Sequence, residues 1–148
     1  MRYVVADTER LPFADAAFDM VVCILTLEFI AHPPTAVAEL RRVLKPGGHL
    51  VVGVLGRWSP WNLWRRLRGA MGHPLWQRAH FFRITDITNL LRDAGVQDVH
   101  HVSTIFLPPM PAHLHTTLYR LVDACGRWCC PWAGAFIAVS ARKSEQVR

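Results

Sequence analysis

Three short apolar runs, at 2–6, 19–27 and 49–55, constrain the fold of this 148-residue chain more than any other feature. Each is strand-length, rich in β-branched residues and nearly continuous in its hydrophobicity, the pattern of strands buried on both faces of a largely parallel sheet. In "YVVADTERLPFADAAFDMVVC" the first two runs lie a turn apart; the first stops at Asp7, and Phe18-Asp19 introduces the second. Strands flanked by carboxylates in this way suit the working edge of an α/β sheet that binds a nucleotide-like ligand. A glycine-rich turn is expected ahead of such strands, yet the nine glycines include no Gly-x-Gly.

Helices fit between and after the strands. "PPTAVAELRRVLKPGG" has Pro34 and Thr35 at its start, Val37, Leu40 and Leu44 on one face, and Pro46-Gly47-Gly48 as its stop. "RITDITNLLRDAGV" offers Thr85 as N-cap, Ile87, Leu90, Leu91 and Ala94 as an apolar face, and Gly95 as its end. "VQDVHHVSTIFL" and "GAFIAVSARK" read as two further strands, with a helix over "AHLHTTLYRLVDAC" between them and a Pro-rich loop at 107–112. Strands that follow one another late in a chain commonly close a sheet in antiparallel fashion.

Length and a 51% hydrophobic content give one compact domain as the expectation. The longest apolar stretch, at 20–31, is interrupted by Glu28 and is too short to span a bilayer. With no signal-peptide pattern at the N-terminus, a cytoplasmic location is expected. Cys23, Cys125, Cys129 and Cys130 contain no Cys-x-x-Cys pair; reduced thiols are expected, and no metal site.

The net charge of +6 is concentrated in one place. Arg57, Arg65, Arg66, Arg68, Arg78 and Arg83 fall in a stretch, 57–83, that contains no Asp or Glu, and the other eleven basic residues match eleven acidic ones. Trp58, Trp61, Trp64 and Trp76 lie in the same stretch. The favoured reading is a lid-like insertion whose Trp and Leu side chains pack inward while its arginines face water. The alternative is a basic aromatic face that binds a membrane surface or nucleic acid, although a nucleic-acid partner is not the expectation.

Taken together, "ADTERLPFADAAFDMVVCILTLEFIAHPPTAVAELRRVLKPGGHLVV" resembles the central part of the class I S-adenosylmethionine-dependent methyltransferases of the small-molecule type, and "FFRITDITNLLRDAGVQDV" and "GAFIAVSARK" resemble their later helix and strands. The resemblance implies a three-layer Rossmann-like sheet, mostly parallel with an antiparallel C-terminal strand. It implies S-adenosylmethionine as cofactor, with Asp7 accepting from the adenine amino group, the Thr8 backbone N–H beside the ring, and Cys23, Ile24 and Leu25 facing the methionine part. The family's glycine-rich turn and first two strands lie upstream of the matching region. The chain is therefore expected to be an N-terminally truncated, partial methyltransferase domain over 1–148, with Met1 an internal start.

In the family's sheet order the first two strands lie between the strand ending at Asp7 and the strand at 19–27. Without them, either 2–6 pairs directly with 19–27, or a strand edge is left open to self-association or another partner. Methyl transfer is an in-line displacement in which the protein aligns the acceptor and excludes water; a base is optional. Glu28, His32 and His80 are the candidates for that base by location, each with a structural alternative as capping, turn or lid residue. The apolar content of 57–82 and of "IFLPPMPAHL" favours a small hydrophobic or aromatic methyl acceptor. The rival readings are a non-catalytic remnant of the fold acting through partner association, and the basic surface binder described above.

Overall fold

The computed structural model describes residues 3–106, 124–126 and 128–145. Its framework is a sheet of four strands, β1 (Phe18–Ile24), β2 (Leu44–Leu55), β3 (Val96–Thr104) and β4 (Phe136–Lys143). Their order across the sheet is β1-β2-β4-β3. β1 and β2 are parallel, and β4 enters between β2 and β3 antiparallel to both. Three strands thus run one way and the C-terminal strand alone runs the other, as expected.

Helices α1 (Pro33–Val43), α2 (Pro60–Ala70), α3 (Pro74–Gln77) and α4 (Ile84–Asp93) accompany the sheet. Register decides which side chains they cover. Val21 and Cys23 of β1 align with Leu50 and Val52 of β2, which align in turn with Ala141 and Val139 of β4. These residues share one face because successive side chains alternate across a strand. Val37 and Leu40 of α1 and Ile87 and Leu91 of α4 join them in the buried core. On the other face Met20, Val22 and Ile24 of β1 and Val102 of β3 are exposed.

Several boundaries differ from expectation. Residues 3–6 form no strand, and Tyr3, Val4 and Val5 are exposed. The reason is the position of β1 at the sheet edge: a strand is held by the ladder to its neighbour, and no described strand lies beside 3–6. Among the described residues no strand pairs with the outer edge of β1, which corresponds to the open-edge alternative. β1 ends at Ile24 because Leu25 turns into the left-handed region at φ 51°, leading to a short 3-10 turn, Leu27–Phe29. α1 stops at Val43, ahead of the Pro-Gly-Gly stop, and Leu44 is already extended and aligned with Phe18. Gly47, at φ 73°, lies in the register shift between that pair and Met20–His49.

In α4 the N-cap is Arg83 rather than Thr85; its backbone N–H donates to Asp86 Oδ2 at 3.1 Å. Gly95 follows this helix at φ 77°, its N–H donating to the Arg92 carbonyl, as expected of a residue free of Cβ strain. The Pro-rich loop at 107–112 and the helix read over "AHLHTTLYRLVDAC" lie outside the described residues, apart from Ala124 and Cys125.

Candidate functional site

The loop between Asp7 and β1 is held by charged groups on α1. Glu39 accepts from Arg42 Nε at 2.8 Å and from Arg42 Nη2 at 2.9 Å, and its Oε2 also accepts from the Leu11 N–H at 2.9 Å. Arg42 in turn donates to the carbonyls of Leu11 and Phe13 and to Asp15. These partners hold the Glu39 carboxyl well below the usual carboxylate range, at about 2, with the Arg42 guanidinium as the chief cause. The Leu-Pro-Phe turn is therefore docked on α1 by one charged pair set one helical turn apart.

His32 and Glu9 fix the other end of this loop. The His32 N–H donates to Glu9 Oε1 at 2.9 Å, and His32 Nδ1 lies 3.2 Å from Glu9 Oε2. His32 is the N-cap residue of α1, so this sequence-predicted base ties the loop to a helix start. Asp7 sits at the turn just before: its Oδ1 accepts from the Glu9 N–H at 2.9 Å and its carbonyl from the Arg10 N–H at 3.0 Å. One carboxylate oxygen of Asp7 thus shapes the turn.

Between this loop and the outer edge of β1 lies a cleft of about 330 Å³, lined by Thr8, Leu11 and Phe13 on one side and Met20, Val22 and Cys23 on the other. Its walls are mostly apolar, and its size is in the range of small-molecule sites. Thr8 and Cys23, fifteen positions apart, meet here, and Thr26 closes the C-terminal end. Cys23 is buried, and that burial pushes its thiol pKa up. Ile24 and Leu25 go elsewhere. The Ile24 side chain lies on the exposed face against Gly53, where a Cβ would be only 2.7 Å from Ile24 Cδ1. Leu25 is exposed, its N–H donating to the Gly53 carbonyl at 2.8 Å.

Glu28 lies beyond them, fully buried. Its Oε1 accepts from the Leu55 N–H at 2.5 Å, while Oε2 is buried with no hydrogen-bond partner among the described residues. Burial pushes its carboxyl pKa up, against the opposing pull of the backbone N–H groups. The Glu28 carbonyl accepts from the His80 N–H at 2.8 Å, so the C-terminal end of β2 and the 79–82 strap converge on this one residue. The structure thus brings Glu28 and His80 together through the backbone and leaves His32 at the far end of the turn.

His80 opens onto a second cleft, of about 540 Å³, under α2 and α3. Arg57, Arg66, Trp76, Phe81 and Phe82 are among its walls, and Asp86 is the one acid among its described lining residues. Arg65 does not enter it. Its guanidinium stacks between Trp61 and Trp76, at 5.2 and 4.9 Å from the ring centroids, and donates to Asn62 Oδ1. Sequence reasoning singled out the 57–83 segment but not these walls, and it did not identify Glu9 and Glu39 as the residues that set the loop. The i, i+3 spacing of Glu39 and Arg42 was the available signal for the latter.

Comparison with known proteins follows the same outline. Residues 1–52 match a family model described as a methyltransferase domain. An uncharacterised protein of Mycobacterium tuberculosis is 36% identical over 101 residues, covering 68% of this chain and 35% of that protein. A ubiquinone/menaquinone biosynthesis C-methyltransferase of Stutzerimonas stutzeri is 48% identical over 52 residues, covering 35% of this chain and 20% of the enzyme. Among solved structures, an S-adenosylmethionine-dependent methyltransferase of Thermotoga maritima superposes with a TM-score of 0.74 at 25% identity, covering 94% of this chain and 62% of that one. The chain thus spans about a third of the length of the first curated relatives it matches.

Proposed function

We propose, from the premise that this chain belongs to the class I S-adenosylmethionine-dependent methyltransferase family, that it serves methyl transfer to a small hydrophobic or aromatic acceptor. S-adenosylmethionine is the cofactor of that family and, when bound, supplies an electrophilic methyl group on a sulfonium. The observation that carries the proposal is the apolar cleft at the β1 edge, with Thr8 in its lining; a second cleft lies under α2 and α3, and the strap that lines it is tied to the chain beyond β1 by the His80 N–H donating to the Glu28 carbonyl.

The residues of the edge cleft suit the adenosine end of the cofactor. Its apolar walls fit a planar base, and Asp7, beside Thr8 at its rim, keeps one carboxylate oxygen beyond the turn hydrogen bond to accept from an exocyclic amine. Cys23 would contribute packing, and Ile24 and Leu25 would border the link toward the second cleft. The 57–83 segment would act as the lid over the acceptor, with Trp76, Phe81 and Phe82 excluding water and aligning it. Glu28 would be a positioning residue, holding the strap that carries His80. Where the acceptor is a hydroxyl or a protonated amine, the His80 imidazole would take its proton.

Photolabelling with methyl-tritiated S-adenosylmethionine tests this arrangement. Label is expected on peptides containing residues 8–13 or 20–26. Label confined to other peptides, or no label on the folded chain, contradicts it.

A second reading, a non-catalytic methyltransferase fold acting by association, is favoured by the exposure of Met20 and Val22 on the edge strand β1. Sedimentation equilibrium separates the two. A dimer abolished by Val22→Lys, in a chain that takes no label, supports association; a labelled monomer supports the methyltransferase.

A further inference from the structure

Helix α2 is seated with its apolar side outward. At about 100° per residue, Asn62 and Gly69 lie on one side of the helix, and Leu63, Trp64, Leu67 and Met71 lie on the opposite side. The inward side is fixed by specific contacts. Asn62, fully buried, donates to the carbonyls of Gly56 at 2.9 Å and Ala135 at 2.7 Å. Gly69 approaches the Trp76 carbonyl so closely that a Cβ would be 2.7 Å from its oxygen. The outward residues are correspondingly exposed: Leu63 by 56%, Trp64 by 49%, Leu67 by 52% and Met71 by 67%. Pro60 and Ala70 line the outward groove with Leu63, Trp64 and Leu67. Trp61 and Trp76 are half-buried and sandwich Arg65, an arginine expected to face water, and the expectation that the Trp and Leu side chains of this segment pack inward fails for the stripe on α2.

The charge around the stripe is of one sign. On the helical wheel Arg66 borders one flank and Arg68 the other, and no Asp or Glu occurs anywhere in 57–83. An apolar stripe with Trp and Leu, flanked by arginines, is the surface of a helix that lies in a lipid–water interface, its rings and aliphatic side chains among the acyl chains and its guanidiniums at anionic headgroups. A water-soluble helix face of this chemistry, by contrast, is expected to be packed or polar.

We infer that the outward face of α2 is a docking surface for an anionic lipid membrane, on which the chain rests without crossing the bilayer. Charge complementarity selects the occupant. The segment carries six arginines and no acid, which suits phosphatidylglycerol-type headgroups and disfavours a second copy of the same cationic face. The placement has a functional consequence that does not depend on the methyltransferase reading. Arg66 lines both the outward groove with Leu63 and Leu67 and the cleft beneath α2, so a lipid-soluble molecule in the bilayer would lie one helix away from that cleft.

The test is cosedimentation of the full 148-residue chain with vesicles of phosphatidylcholine alone or of equal parts phosphatidylcholine and phosphatidylglycerol, at low and high salt. Binding to the anionic vesicles, weakened by salt, is expected to fall about fivefold for Arg68→Gln. It should fall by more than about tenfold for Leu63→Ser combined with Leu67→Ser, which removes apolar contact area. Both variants alter exposed side chains and should keep the circular dichroism of the parent. The proposal is overturned if the folded chain does not sediment with anionic vesicles. It is equally overturned if both variants bind as the parent does, or if Leu67→Ser abolishes a concentration-dependent dimer in a chain that ignores vesicles.

Discussion

The two faces of the sheet are built from the same kinds of residue and meet different fates. On one face Cys23, Leu50, Val52, Ile137 and Val139 are covered by α1 and α4 and form the core, with Val21 packed against it; on the other, Met20, Val22 and Ile24 stand exposed one position away in sequence. Apolar character therefore marks a strand that is fit to be covered on both sides, whereas the elements around it decide which side is covered. Among the described residues the helices cover one side, so stability should be concentrated there, and ligand and partner chemistry should be sought at the β1 edge and above the end of β2.

The largest break in this comparison should come from the covered face. Leu91→Ala empties a fully buried site between α4 and the sheet and should cost about 2–5 kcal/mol in urea unfolding. A loss below about 1 kcal/mol would mean that α4 does not hold the core. The next largest tests the one tight point of the open face. A Cβ on Gly53 would meet the Phe136 ring and Ile24 Cδ1, so Gly53→Ala should cost about 1–3 kcal/mol. No loss would show that these two side chains move aside freely.

Glu28→Gln sharpens the comparison through pH. The folded pKa of Glu28 is raised above its ordinary 4.5, so the native state holds this proton more tightly than the unfolded chain does. Its contribution is therefore favourable below pH 4.5 and is lost as pH rises through the folded pKa. The urea midpoint of the parent should fall over that window, and that of the Gln variant should be flatter. Glu39 acts in a separate window. Its pKa of about 2 gives a contribution present above 4.5 and lost as pH falls toward 2, so acid unfolding should come at higher pH in Glu39→Gln. The smallest effect belongs to Val22→Thr on the exposed face, expected within about 0.5 kcal/mol of the parent. A larger loss would mean that this face is covered in solution.

Much of the sheet was legible because strand-length apolar runs and the periodicity of α1 and α4 are local signals. The strand expected at 2–6 failed because hydrophobicity without a neighbouring strand supplies no ladder. The orientation of α2 was illegible for a related reason. Its inward face is chosen by the Asn62 amide reaching the Ala135 carbonyl, 73 positions away in sequence, and by the close approach of Gly69 to Trp76. Helical periodicity, which seats the most apolar stripe inward, predicts the reverse. At the candidate site, the motif pointed to Asp7 and Thr8 by resemblance alone. That Thr8 and Cys23 share a cleft, while Ile24 points to the opposite face, follows from strand alternation and the docking of the loop on α1 by Glu39 and Arg42.

The central claim is that the β1 edge cleft, with Thr8 in its lining and Asp7 next to it in sequence, holds the adenosine end of the cofactor. Calorimetric titration of the 148-residue chain with S-adenosylhomocysteine, alongside Asp7→Ala, tests it most directly. Saturable one-to-one binding, weakened at least about tenfold in the variant, is the expected result, since a hydrogen bond to a charged group contributes about 1.5–3 kcal/mol. A folded chain that releases no heat on titration, or a variant that binds as tightly as the parent, would contradict the assignment.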